Sequence, residues 1–257
     1  MLYQIKQYVK FLKKSTNQHG IHSPFVYQLV TLCFYNKTKF EDYHTLKQYR
    51  EKLYQNNTTI AVTDFGAGSR VFKSDQRPIS KIAKTAGITK KRARLLYRIA
   101  DYFQINNALE LGTSLGLATA ALSLGNKKGN LLTIEGCPET AKIAKQQFDA
   151  FNLKNIDLKN NNFETELAKL KNKTFDLIYI DGNHQKEATL NYFETLLDNI
   201  HNDSVLIFDD IHWSPSMTEA WEEIKKHPKV TVTIDTFFWG FVCFRKEQEK
   251  EHFTIRV

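Results

Sequence analysis

From Asn107 onward the sequence pairs a short apolar run with a segment of helical period five times over, and few folds accept that pattern. Residues 108–111, 131–134, 156–159, 175–180 and 205–208 read as strands. Residues 115–124, 139–151, 164–170, 186–200 and 217–226 read as the helices between and after them. Repeated β/α pairs bury a parallel sheet beneath helices on both faces. Two more strands, residues 230–236 and 240–244, follow without a helix and turn at Phe238-Trp239-Gly240. So short a connection makes an antiparallel hairpin. The expectation is an α/β, Rossmann-like doubly wound sheet whose last hairpin is antiparallel, preceded by a mostly helical N-terminal extension.

The first corner of this pattern has the form of a ligand loop. The first strand ends in Glu110-Leu111-Gly112-Thr113-Ser114-Leu115-Gly116, and the second ends in an acid, Glu135. Glycine lets backbone approach a ligand closely, and the helix that follows offers free N–H groups. An acid after the second strand can take both hydroxyls of a ribose. A nucleoside-containing cofactor is therefore expected. The spacing lacks the third glycine of the dinucleotide fingerprint, and no phosphate-loop motif occurs in the chain.

Glu110 to Gly116, with Glu135 after the next strand, resembles the first motif and ribose acid of class I S-adenosylmethionine (SAM)-dependent methyltransferases. The likeness spans about residues 76–257. It implies a seven-stranded sheet of order 3-2-1-4-5-7-6. It also implies that Glu110, Gly112, Thr113, Ser114 and Gly116 form the cofactor loop, with Gly112 near the methionine part. By the same likeness Glu135 takes the ribose, and Asn162, after the third strand, sits by the adenine where the family often has Asp.

Two later loops carry further chemistry. The fourth strand ends in Ile180-Asp181-Gly182-Asn183-His184, the fifth in Phe208-Asp209-Asp210-Ile211-His212-Trp213. Both belong to the C-terminal strand ends, where doubly wound folds bind ligands. Three carboxylates gathered there would raise one another's pKa unless a cation joined them, and a hard ion such as Mg²⁺ or Ca²⁺ suits oxygen ligands. The loops are similar to those of cation-dependent O-methyltransferases of the catechol and caffeoyl-CoA type. That similarity puts Asp181, Asp209 and Asp210 at metal positions, with Asp210 replacing the usual Asn. His184 then falls where those enzymes carry a lysine base, and imidazole suits that role near neutral pH. Methyltransferase family 24 domains share the Asp-Gly-x-His turn. A plainer reading makes Asp181 a cofactor ligand, Asp209 and Asp210 helix caps or partners of lysines, and His184 a solvated turn residue.

Charge divides the chain. Residues 1–106 hold 19 Lys+Arg against 6 Asp+Glu, a net of +13, while residues 107–257 hold 17 against 22, a net of −5. Basic Lys90, Lys91, Arg92, Arg94 and Arg98 lie opposite the apolar stripe of a helix ending near Phe103. They suggest either a solvated face or an RNA-facing one. Residues 2–14 have a helical apolar stripe (Leu2, Ile5, Tyr8 or Val9, Leu12) interleaved with lysines. This helix is expected to pack on the domain rather than on a membrane. Ser23-Pro24 marks a helix start, His19 and His22 read as turn residues, and residues 40–56 read as a polar helix. Gly66-Ala67-Gly68 competes as a cofactor loop, but no helical period follows it, so it reads as a loop that could offer Asp64 or Arg70 to a substrate. Cys33, Cys137 and Cys243 follow no metal spacing and read as reduced thiols of a cytoplasmic protein. No apolar run is long enough to span a membrane.

The expectation is thus a SAM-dependent methyltransferase acting on a small-molecule hydroxyl, with His184 and Asp181 at the chemistry and a divalent cation assisting. Residues 1–75 would form a lid and residues 76–257 the methyltransferase domain. RNA is the alternative acceptor, although no Asn-Pro-Pro-Tyr loop of the nitrogen-methylating type follows a strand. A non-catalytic cofactor-binding module and a homodimer also remain open.

Overall fold

The computed structural model describes residues 2–66, 68 and 72–257, so Arg70 and Ala67 lie outside the described residues. In chain order the elements begin with α1 (Leu2–Lys14), α2 (Pro24–Gln28, continued by π-helical turns Leu29–Phe34), α3 (Asp42–Gln55), β1 (Thr59–Ala61), β2 (Gln76–Pro78), α4 (Ile79–Thr85) and α5 (Lys90–Tyr102). Next come β3 (Asn107–Leu111), α6 (Leu117–Gly125), β4 (Asn130–Glu135), α7 (Pro138–Ala150), β5 (Ile156–Asn160) and α8 (Phe163–Leu167). The remainder is β6 (Leu177–Ile180), α9 (Lys186–Leu196), β7 (Val205–Asp209), α10 (Pro215–Lys226), β8 (Val232–Asp235), β9 (Trp239–Cys243) and β10 (Glu251–Thr254). They group into two compact units, Lys37–Lys169 and the pair Met1–Asn36 with Leu170–Val257.

In the unit Lys37–Lys169, β4 pairs in parallel with β3 on one side and β5 on the other, an order of 3-2-1 by appearance in the sheet. β3 is buried after its first residue, as a strand covered on both faces must be. α6 is buried along nearly its whole length, and its small residues permit close packing on α5. A Cβ on Gly125 would strike the Tyr97 carbonyl of α5. Thr89 caps α5 by accepting from Arg92 N at 3.2 Å. Buried Leu95, Leu96 and Ile99 form its inner face as the spacing predicts. The helix at residues 40–56 is α3, and it is less polar in effect than its composition: Tyr43, Leu46, Tyr49 and Leu53 are buried. The glycine loop at residues 66–68 joins β1 to β2, an antiparallel pair. Among the described residues no helix lies between β1 and β2, and strand β2 was not visible in a run as polar as Gln76-Arg77-Pro78.

In the other unit, β6 pairs in parallel with β7, β7 antiparallel with β9, and β9 antiparallel with β8, the expected 4-5-7-6. The hairpin turns one position earlier than the sequence suggested. Trp239 and Gly240 belong to β9, and Thr236 N bonds Trp239 O at 2.9 Å. An eighth strand, β10, adds in parallel to β8 beyond the seven expected. Ser23 and Ser214 cap α2 and α10, each followed by a proline.

α1 departs from expectation. Phe11 is its one buried residue, while Leu2, Ile5, Val9 and Leu12 are exposed. The helix attaches through the opposite face, with Tyr8 and Phe11 against Phe237 at ring distances of 4.8 and 5.6 Å. Spacing reveals that a stripe exists, not which side of the helix the protein covers.

Candidate functional site

Within the unit Lys37–Lys169, the loop between β3 and α6 is built from left-handed backbone. Gly112, Ser114 and Gly116 have φ of 101°, 48° and 77°. Only glycine adopts such angles freely. Gly116 is doubly constrained, because a Cβ there would strike the Tyr49 hydroxyl and the Phe148 ring. Tyr49 in turn donates to Leu115 O at 2.9 Å, so α3 braces the loop from behind. Gly112 N and Thr113 N both bond Ile134 O, at 3.0 and 3.3 Å, which fastens the loop to β4.

Glu135 closes the other side. Its Oε2 accepts from Ser114 N at 2.6 Å and its Oε1 from Cys137 N at 2.8 Å. Burial raises the pKa of this carboxyl, and the two amides oppose the rise. Each carboxylate oxygen has a further lone pair, so Glu135 can still accept from a diol. Glu110 is buried deeper, with no exposed surface. Its Oε2 accepts from Thr119 and Thr133 hydroxyls, both at 2.6 Å, while Oε1 has no partner. Burial pushes its pKa up to about 7 against the lowering by the two hydroxyls. Thr113 meets Thr133 at 2.5 Å, so a hydroxyl chain joins the loop to Glu110. Asn162 caps α8, its Oδ1 accepting from Thr165 N at 2.8 Å, and it is exposed. The loop, its free helix N-terminus and Glu135 suit a nucleoside with an attached zwitterion; the amide of Asn162 keeps its donors for a base.

In the other unit, the turn after β6 is strained. Asn183 and His184 lie at φ 68° and 50°, two successive left-handed residues without glycine. Each costs about 1–2 kcal/mol, and such strain persists where surrounding contacts impose it. Asn183 Nδ2 donates to Tyr192 OH at 3.1 Å, and His184 N bonds Gly182 O at 2.9 Å. The turn sets His184 Nε2 3.6 Å from Asp181 Oδ1, with the Trp213 ring 6.4 Å from the imidazole. Tyr179, wholly buried in β6, donates to Asp181 Oδ2 at 3.1 Å. Asp181 is thus oriented from both sides.

After β7, Asp209 is buried and Asp210 takes φ 53°, its carbonyl accepting from Trp213 N at 2.8 Å. Among the described residues no three His, Cys, Asp or Glu side chains are arranged to hold a metal ion. Asp181, Asp209 and Asp210 are not brought together as such a group among the described residues; Asp181 instead meets Tyr179 and His184.

The same loop holds a pair that the sequence did not disclose. His212, nearly buried, places Nε2 2.9 Å from Asp235 Oδ2 and Nδ1 3.1 Å from Thr218 Oγ1. Asp235 ends β8, and no local spacing links it to His212. Asp64, considered for substrate contact, lies 3.6 Å from Arg77 and accepts from Gly66 N at 3.1 Å. On α5, the Arg94 guanidinium lies 4.8 Å over the Tyr43 ring and Arg98 donates to Tyr43 OH at 3.2 Å, so two of that helix's cations serve internal packing.

Residues 109–211 match the family model of a methyltransferase domain. No curated protein matches the chain by sequence. Several solved structures do by fold. The SAH-bound methyltransferase PaMTH1 of Podospora anserina is 15% identical, with 88% of this chain and 97% of that one aligned and a TM-score of 0.63. An O-methyltransferase of Bacillus cereus in complex with SAH is 18% identical over 83% and 95%, at 0.57. The O-methyltransferase TomG of Streptomyces achromogenes, in complex with SAM, is 15% identical over 84% and 95%, at 0.57. Residues 109–211 thus resemble a methyltransferase domain, and the chain shares the fold of these solved methyltransferases.

Proposed function

We propose that this protein is a SAM-dependent methyltransferase whose acceptor is the hydroxyl of a small molecule. The observation that supports it most is the closed corner of Gly112, Ser114, Gly116 and Glu135, a loop of left-handed residues tied to an acid that retains lone pairs. Glu135 holds the ribose diol, the backbone around Gly112 and Thr113 holds the amino-acid portion, and Asn162 contacts the base. When bound, the cofactor supplies a methyl group already activated on a sulfonium. The chain's remaining task is alignment and removal of one proton. His184 Nε2 would accept the acceptor's hydroxyl proton as the oxygen bonds the methyl carbon and the methyl–sulfur bond breaks, the electron pair leaving on the sulfur of S-adenosylhomocysteine. Asp181, 3.6 Å away, stabilises the resulting imidazolium, and Tyr179 fixes that carboxylate. This chemistry assigns no step to a cation. Residues 76–257 perform the reaction in this reading, and residues 1–75 select the acceptor as a lid.

Calorimetry tests the central assignment. SAM and SAH should each bind with one-to-one stoichiometry, and Glu135→Ala should weaken both at least tenfold. No detectable binding to the wild-type protein would overturn it.

A further inference from the structure

We propose that α1 docks the protein onto an anionic lipid surface. Leu2, Ile5, Val9 and Leu12 recur at spacings of three, four and three residues and make one stripe along the thirteen-residue helix. All four are exposed, Leu2 at 86% and Ile5 at 56%. A free aliphatic stripe is not by itself a binding site, and the identity of what covers it comes from charge. The helix contains Lys6, Lys10, Lys13 and Lys14 and no acid. At helical spacing Lys6 and Lys13 border the stripe, on the side turned away from Phe11. That leaves the protein-facing side to buried Phe11, with half-exposed Tyr8 at its edge, both touching Phe237. Phe238, half-exposed, meets Phe237 edge-on at 5.0 Å and carries the apolar patch beyond the helix.

Two occupants could cover an aliphatic stripe. A second copy docking α1 on α1 would bring eight lysines together with no carboxylate from either helix, and like charges repel. A bilayer with anionic headgroups satisfies both features at once. The stripe enters the boundary between headgroups and acyl chains, and the lysines extend their stems along it to reach phosphate. The helix is too short and too charged to cross a bilayer, and no described helix is long and apolar enough to do so. The attachment is peripheral and salt-sensitive.

Flotation of the full chain with phosphatidylcholine vesicles, with and without phosphatidylglycerol, tests this. The wild-type protein should float with the anionic vesicles at low salt, stay behind with the neutral ones, and be released as salt rises. Ile5→Asn with Val9→Asn should abolish flotation. Lys6→Glu with Lys10→Glu and Lys13→Glu should weaken it by roughly a hundredfold. All of these residues are exposed, and circular dichroism with a thermal melt checks that each variant stays folded. Failure of the folded wild-type protein to float with anionic vesicles overturns the proposal. So does unchanged flotation in both variants, or equal flotation with neutral vesicles. A concentration-dependent dimer that Ile5→Asn and Val9→Asn dissolve, seen by sedimentation without any vesicle binding, would assign the stripe to a second copy instead.

Discussion

Glu110 and His184 pose opposite demands on a charged group. Glu110 sits where no solvent reaches it, with one oxygen held by two threonine hydroxyls and the other unpartnered. Its pKa rises from an ordinary 4.5 to about 7 on folding. The folded state therefore binds more protons than the unfolded state between those values. Stability contributed by this group is undiminished below about pH 4.5, falls as pH rises toward 7, and is level above. The total is roughly 3 kcal/mol. Glu110→Gln removes the titration and introduces a pH-independent cost for its buried amide. Urea melts of both proteins should show the variant gaining on the wild type by roughly that amount between about pH 4.5 and 8. Parallel curves would refute the assignment. In the proposed reaction His184 must instead gain a proton during turnover, with the Asp181 carboxylate 3.6 Å from it. His184→Ala should lower kcat about 10²–10⁴-fold toward a hydroxyl acceptor while leaving SAH affinity within about threefold. Equal loss of SAH binding would make His184 a cofactor contact rather than a base.

At the level of elements, the β3–α6 corner depends on backbone that side chains cannot adopt cheaply. Gly116→Ala combines a left-handed φ with a Cβ pressed against Tyr49 and Phe148. A loss of about 2–4 kcal/mol in unfolding free energy is expected, measured by chemical melt. If the loop relaxes freely, the loss will fall below about 1 kcal/mol, and the bracing by α3 will have been overstated. This corner was legible in the sequence because glycine spacing, an apolar strand and a terminal acid are all local signals. So were the β/α pairs and the closing hairpin. What escaped is non-local or too short. β10 begins at the end of the charged run Glu247 to His252, after which only Phe253 and Ile255 hint at alternation, and β8 supplies its pairing. The His212–Asp235 pair joins the ends of two different elements. The Tyr43 ring that occupies Arg94 and Arg98 comes from α3, far back in the chain. The outward stripe of α1 was visible as a stripe, but its direction is set by Phe237, more than two hundred residues away.

For the whole molecule, a ligand that binds only the folded state raises its stability by an amount fixed by concentration and affinity. If SAH occupies the corner of Gly112 and Glu135, then SAH at a hundred times its Kd adds about 2.7 kcal/mol. For a chain of 257 residues that is a rise in Tm of about 5–10 °C. Glu135→Ala should lose most of the rise at the same SAH concentration. EDTA should leave it intact, because Asp181, Asp209 and Asp210 do not assemble as ligands among the described residues. A rise, or a turnover rate, that EDTA removes and Mg²⁺ restores would return those carboxylates to a metal role. The same melt separates the acceptor classes. The +13 charge of residues 1–106 would favour association with RNA at low salt whatever the acceptor, so association alone decides nothing. An RNA acceptor should still raise Tm in the presence of SAH at physiological salt and accept methyl groups there. An RNA effect that vanishes with added salt, while SAH stabilisation persists, leaves a small hydroxyl compound as the acceptor.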